Sequence, residues 1–159
     1  MTSFFHGSAL VDVDAEGNAA IPGFVAEALT DQPELIVAKH ESDACLVGYG
    51  PARLALLAER SERRRLADEA RGAEARSHYQ RMRRTFGLAD RLPRRDTTIR
   101  IPAAMRHLGK IDGLALFVGT GDSFEIWNPE LAMASEDPQF RDLAAFQLSN
   151  RTNKSLGVH

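Results

Sequence analysis

Apolar and polar positions along the chain form two runs of one design, separated by a charged middle. In the first run a short apolar segment, Ala9 to Val13, leads into the polar turn Asp14-Ala15-Glu16-Gly17-Asn18. An Ile21-Pro22 step follows and predicts a short helix over Gly23 to Leu29, because proline suits a helix start, where its missing N–H would be unpaired anyway. A β-rich run, Leu35 to Ala38, and a second strand, Ala44 to Tyr49, close the unit. The second run repeats the order: Leu88 to Leu92, a turn over Arg94 to Thr98, Ile101-Pro102, a helix over Ala103 to Leu108, and strands Leu114 to Val118 and Phe124 to Trp127. Short strands joined by hairpin-like turns predict an α+β fold with antiparallel pairing.

The two runs also match residue by residue. Gly7, Ala9, Ile21 and Pro22 each find an identical residue 80 positions later, at Gly87, Ala89, Ile101 and Pro102. Asp43-Ala44-Cys45-Leu46-Val47 lies opposite Asp122-Ser123-Phe124-Glu125-Ile126 at an offset of 79, which pairs Cys45 with Phe124, and a proline follows each, at Pro51 and Pro129. Self-similarity at a fixed period decides the fold before any local propensity does. The expected organisation is a first repeat over 1–51, a helical connector over 52–85, a second repeat over 86–133 and a tail over 134–159. Within the connector, Leu54, Leu57 and Leu66 alternate with charges at helical spacing, and Gly72 breaks the run into helices over Ala52 to Ala70 and Ala73 to Thr85. A further short helix is expected over Gln139 to Leu148, with the polar residues from Asn150 onward loose.

Charge adds what the pattern does not show. The chain of 159 residues carries a formal net charge of −2, but the charge is segregated. Residues 1–52 hold Lys39 alone against eight acids; residues 53–110 hold sixteen Lys and Arg against seven acids; residues 111–159 hold three against seven. A basic middle recruits a polyanion such as nucleic acid, or it pairs as a solvated helix with the acidic flanks; charge alone admits both. Cys45 is the single cysteine, so an intramolecular disulfide and a cysteine cluster for a metal are excluded. The stretch from Met1 to Ala9 lacks the basic and apolar regions of a signal peptide, and no run approaches a membrane span, so the expected compartment is the cytoplasm.

Catalytic chemistry has little to work with. Cys45 sits in an apolar strand and reads as a core thiol rather than a nucleophile. His6, His40, His78, His107 and His159 show no short metal-ligand spacing. Gly119-Thr120-Gly121-Asp122 lies between two strands and lacks the helix that a phosphate-cradling loop requires, so it reads as a turn. No cofactor, metal or small-molecule substrate is expected, and Trp127 reads as a core or interface anchor.

The repeat and its landmarks resemble the MraZ family of bacterial regulators over about residues 3–133. Those landmarks are Phe5-His6-Gly7, the Asp14 to Asn18 turn, Ile21-Pro22, Cys45-Leu46, Ile101-Pro102 and Phe124-Glu125-Ile126-Trp127-Asn128, of which the last is the most specific. The resemblance implies two tandem AbrB-like repeats completing a pseudo-twofold swapped-hairpin barrel, with helices between and after them. It also implies a homo-oligomeric ring, octameric or similar, and a nucleoid-associated repressor that binds double-stranded DNA at direct repeats in its own promoter, upstream of division and cell-wall genes. Family members carry Asp-x-x-x-Arg in each repeat, with the Arg meeting DNA. Here the first-repeat position holds Asn18, and the second-repeat count lands on Thr98 with Arg94 where Asp belongs. Asp96 and Arg100 spell the motif two residues out of register; either a bulge restores the geometry or the basic contacts have moved, the second being preferred.

The DNA-binding candidates are therefore Arg91, Arg94, Arg95 and Arg100, with Arg106 at the family's Pro-x-x-x-Arg position and Asn18 at the departed one. Guanidinium groups contact guanine edges and phosphates in forked pairs at any relevant pH. A basic edge neutralised by the acidic first repeat or by a neighbouring subunit is the competing reading. On the connector, Arg60, Arg63, Arg64 and Arg65 with Glu59, Glu62 and Glu69 read as a solvated face, and Arg81, Arg83 and Arg84 as either that or an extended phosphate track. An oligomeric interaction protein that has lost DNA binding is the alternative function.

Overall fold

The computed structural model describes residues 4–155, and the side chains of residues 4–152. The first repeat contains β1 (Ser8–Asp12), β2 (Asn18–Ala20), α1 (Gly23–Ala28), β3 (Glu34–Lys39) and β4 (Leu46–Tyr49). The connector is α2 (Ala52–Ala70), α3 (Ala75–Met82) and a π-helical turn, Arg83–Gly87. The second repeat contains β5 (Ala89–Pro93), β6 (Thr98–Arg100), α4 (Ala103–Gly109), β7 (Leu114–Gly119) and β8 (Phe124–Trp127), followed by α5 (Pro129–Met133) and α6 (Pro138–Ser155). The fold is mixed α+β with antiparallel strands.

Six strands form one sheet in the order β1-β7-β8-β4-β3-β5, and β2 pairs with β6 in a separate two-stranded ribbon. Exchanging each first-repeat strand for its second-repeat counterpart reverses the written order and changes no neighbour. The first strand of each repeat pairs with the third strand of the other, β1 with β7 and β5 with β3, so neither half completes its sheet alone. Ala19 stands opposite Ile99, 80 residues on, and marks the centre of the exchange.

The hydrogen bonds also correct the alignment of the two runs. Gly119 N donates to Gly7 O as Lys39 N donates to Leu88 O, and His40 N donates to Cys45 O as Thr120 N donates to Ser123 O. The offset is thus 81 at the first strand, 80 at the ribbon and third strand, and 78 at the fourth. The second-repeat turn is one residue shorter and its last hairpin two shorter, so Cys45 corresponds to Ser123 rather than to Phe124.

Alternation along the strands divides the core in two. Leu35, Val37, Leu46, Phe117, Phe124 and Ile126 face inward with Val25 and Met105 from the two short helices. Phe117 and Phe124 stack with centroids 5.9 Å apart; each fully buried ring contributes about 1.5–3 kcal/mol. Gly48 makes room for this pair, since a Cβ there would lie 2.2 Å from the Phe124 ring. On the other face Cys45, Leu116 and Trp127 pack under Ala132 of α5 and Ala144 of α6. The Phe-Glu-Ile-Trp-Asn string serves both: Phe124 and Ile126 point in and Trp127 points out. Asn128 then caps α5 by accepting from Glu130 N and donates to Lys110 O, each at 2.9 Å.

Several expectations need correction. Asn18–Ala20 and Thr98–Arg100 are strands rather than turn endings, because each finds its partner in the other repeat. The second connector helix is shorter than expected, Ala75–Met82, and ends in the π-helical turn. The tail is not loose from Asn150: α6 runs to Ser155, with Gln147 reaching Ser8 and Arg151 paired with Asp12. The sequence pattern gives no sign of the short helix α5. His159 and the first three residues lie outside the described residues. No helix among the described residues is long and apolar enough to cross a membrane.

Candidate nucleic-acid interface

The ribbon of β2 and β6 carries one buried face and one outward face. Ala19 and Ile99 point inward, each 2% exposed, while Asn18, Ala20, Thr98 and Arg100 alternate onto the other side. A hairpin turn flanks each end. Ile101 N donates to Gly17 O at 2.9 Å and Ile21 N donates to Thr97 O at 2.8 Å, so each turn is tied to the helix start of the other repeat.

The first turn is held by Asp14. Its Oδ1 accepts from Glu16 N and Asn18 N, both at 2.9 Å, and Oδ2 accepts from Asn18 Nδ2 at 3.0 Å. The Asn18 amide, with these backbone donors, holds the Asp14 carboxyl below its ordinary range. Gly17, at φ +96°, allows the chain to turn back against Ile101. In the second repeat a two-residue turn takes over: Arg95 and Thr98 exchange backbone hydrogen bonds, and Asp96 adopts φ +60°. Arg95 therefore occupies the Asp14 position and Thr98 the Asn18 position. Asp96 and Arg100 do not close a turn together as Asp14 and Asn18 do.

The candidate residues divide by what their guanidinium groups already hold. Arg94 Nη1 donates to Leu29 O at 2.7 Å and to Gln32 O at 3.3 Å, tying β5 to the end of α1. Arg106 donates from Nε to Ile101 O at 3.0 Å and from Nη1 to Ala15 O at 3.2 Å, lashing α4 to the first turn. Arg100 Nε donates to Glu16 O at 3.2 Å but stays exposed, opposite Asn18 on the ribbon. Arg95 is exposed and bonds to no side chain or carbonyl through its guanidinium among the described residues. Arg91 pairs with Glu34 on the edge of the large sheet, away from the ribbon. The outward ribbon position Ala20 is not distinguished by the sequence, whereas Thr-Ile-Arg carries a brief alternation.

One further cluster is invisible to sequence spacing. Ligand atoms of His40, Cys45 and Glu125 lie within 4.8 Å of one another. His40 Nδ1 accepts from Asp43 N at 3.0 Å and Ser42 N at 3.2 Å, which leaves Nε2 as the proton-bearing atom facing Glu125 Oε2 at 3.2 Å. Burial pushes the Cys45 thiol far up, so it stays neutral. Trp127 Nε1 donates to the same carboxylate at 2.9 Å. His40, Glu125 and Trp127 form a hydrogen-bonded clasp between the two hairpins.

No family model matches the chain. It is similar to the transcriptional regulator MraZ of Saccharophagus degradans, at 28% identity over 134 residues, covering 82% of this chain and 86% of the relative. The chain thus shares with a transcriptional regulator of the MraZ family a similarity that runs across both of its halves.

Proposed function

We propose that the protein is a sequence-specific DNA-binding transcriptional regulator whose outward ribbon face, with its two flanking turns, meets the duplex. The single observation that carries this reading is the place of Arg100. It stands across the ribbon from Asn18, so a guanidinium from the second repeat sits beside the first-repeat position where family members carry Arg. Arg95 opens the other turn with its guanidinium uncommitted. A two-stranded ribbon fits a major groove, where Arg reads guanine and grips phosphate. The exchanged halves are, in this reading, the AbrB-like swapped-hairpin barrel.

The regulator acts as a homo-oligomeric ring and represses a division and cell-wall gene cluster from direct repeats in its own promoter. Leu56 and Leu66 of α2 and Tyr79 of α3 are at least half exposed, an apolar surface suited to self-association. Few contacts per ribbon then suffice, because linked subunits raise avidity without strengthening any one of them. A gel shift with the promoter upstream of its own gene, at two salt concentrations, tests this; a shift at low salt that fades at high salt is expected.

A second reading has its own observation. On the turns the exposed acids Asp14, Glu16 and Asp96 outnumber the exposed bases Arg95 and Arg100. An oligomeric interaction protein that no longer binds DNA would give no shift at low salt while light scattering still reports the oligomer.

A further inference from the structure

The strongest uncommitted positive charge lies not on the ribbon but in a cavity of about 380 Å³ between α2, the β3–β4 hairpin and the π-helical turn. Arg53, Leu57, Arg60, Ser61 and Arg64 line it from α2, at a spacing that puts them on one helical face. Arg81 and Arg84 line the facing wall, and Glu41 is the one acid among the lining residues.

Not all of this charge is available. Arg53 is held by Asp122 at 2.6 Å and Arg81 by Asp68 at 2.5 Å. Arg60, Arg64 and Arg84 have no ion pair or hydrogen bond through their guanidinium groups among the described residues. The helix treats its arginines unequally: Arg63 lies 3.7 Å from Glu59, and Arg65 is clasped by Glu62 and Glu69, all off the cavity. Arg60 and Arg64, four residues apart, repel each other, an arrangement that costs helix stability unless an anion offsets it. Tyr49 also lines the cavity, and its buried hydroxyl has no hydrogen-bond partner.

We propose that this cavity binds a small organic anion bearing two or more phosphate groups, held by Arg60 and Arg64 from one wall and Arg84 from the other. Guanidinium forks match phosphate oxygens in pairs, and three of them exceed the charge of a single phosphate. The volume falls within the range of small-molecule pockets, roughly 300–1,000 Å³, and the Tyr49 ring, Val47 and Leu57 supply an apolar wall for the remainder of the molecule. The site is separate from the ribbon and its ligand is bound, not transformed.

Calorimetric titration of the full chain in phosphate-free buffer tests this, with inorganic phosphate, pyrophosphate and a nucleoside diphosphate as probes. Pyrophosphate and the diphosphate are expected to bind at least tenfold more tightly than phosphate. Arg60→Ala with Arg64→Ala, and separately Arg84→Ala, should each weaken pyrophosphate at least tenfold, whereas Arg63→Ala leaves it unchanged. Circular dichroism checks that each variant is folded. Absence of binding by the wild-type chain, or equal loss on Arg63→Ala, would overturn the proposal. So would loss of duplex affinity in the Arg60, Arg64 variant with no anion binding, since the cavity would then belong to a nucleic-acid track. Failure of the promoter shift alone bears on the ribbon and leaves this site standing.

Discussion

Ala19 and Ile99 face each other across the ribbon, both buried, 80 residues apart in sequence. Each is the other's counterpart under exchange of the repeats, so their contact joins the halves at the pseudo-symmetric centre. Ile99→Ala should cost about 2–5 kcal/mol through lost burial and the space left behind. Adding Ala19→Ile to that variant should recover part of the loss, read from urea midpoints, because the two side chains fill one volume. Full additivity of the two changes would mean that they do not share it.

Gly17→Ala should destabilise the first turn more than a helix-surface Gly→Ala change does. The residue holds φ +96°, and an added Cβ would lie 2.2 Å from the Ile101 carbonyl oxygen, which belongs to the backbone and cannot swing away. A cost of at least about 1–3 kcal/mol is expected from the backbone strain alone, measured by thermal or urea unfolding.

Arg94→Ala and Arg106→Ala should lower stability, by about 1–3 kcal/mol each, since each removes charge-assisted hydrogen bonds to backbone carbonyls that tie separate segments together. Arg95→Ala should leave the unfolding midpoint in place and lower duplex affinity instead. Equal midpoints for all three would contradict the division of roles drawn from their partners.

The His40–Glu125 clasp makes stability depend on pH in a defined direction. The Glu125 hydrogen bond raises His40 above its ordinary 6.5, and the same bond lowers Glu125 below its ordinary 4.5. A raised histidine contributes fully below 6.5 and loses its contribution as pH rises through the folded value; a lowered carboxylate contributes above 4.5 and loses it as pH falls. The His40–Glu125 ion pair is therefore fullest between those two values, where protonation of Nδ1 also releases the Ser42 and Asp43 N–H groups. The melting temperature should fall from about pH 5.5 to about pH 8.5 by more in the wild type than in His40→Gln. Identical falls would remove the clasp from the balance.

Much of this architecture is legible in the chain because local signals agree with the global fold. Ile21-Pro22 and Ile101-Pro102 do start helices, with the prolines at the capping position, and Phe124–Trp127 is a strand over the range its alternation indicates. Three-residue strands carry too little pattern to declare themselves, and β2 and β6 exist only because each meets the other. Offsets of 80 and 79 likewise hide two loop-length changes, one of a single residue and one of two, which is why they set Cys45 against Phe124. The basic residues are visible in the sequence as charges but not as commitments. Whether Arg94 meets solvent or the Leu29 carbonyl depends on where α1 ends in space, and Arg60 differs from Arg63 only in which side of α2 faces the hairpin.

The sharpest test of the ribbon's role is fluorescence anisotropy of a labelled duplex carrying the promoter upstream of the chain's own gene. The duplex is titrated with the wild type and with the Arg95→Ala, Arg100→Ala double variant across a series of salt concentrations. Salt-sensitive binding is expected of the wild type. The double variant should bind more weakly, with a logarithmic salt slope shallower by about 0.9 for each phosphate that an engaged subunit no longer neutralises. Identical affinity and slope for the two proteins, with both oligomers intact, would contradict a DNA-binding role for the ribbon.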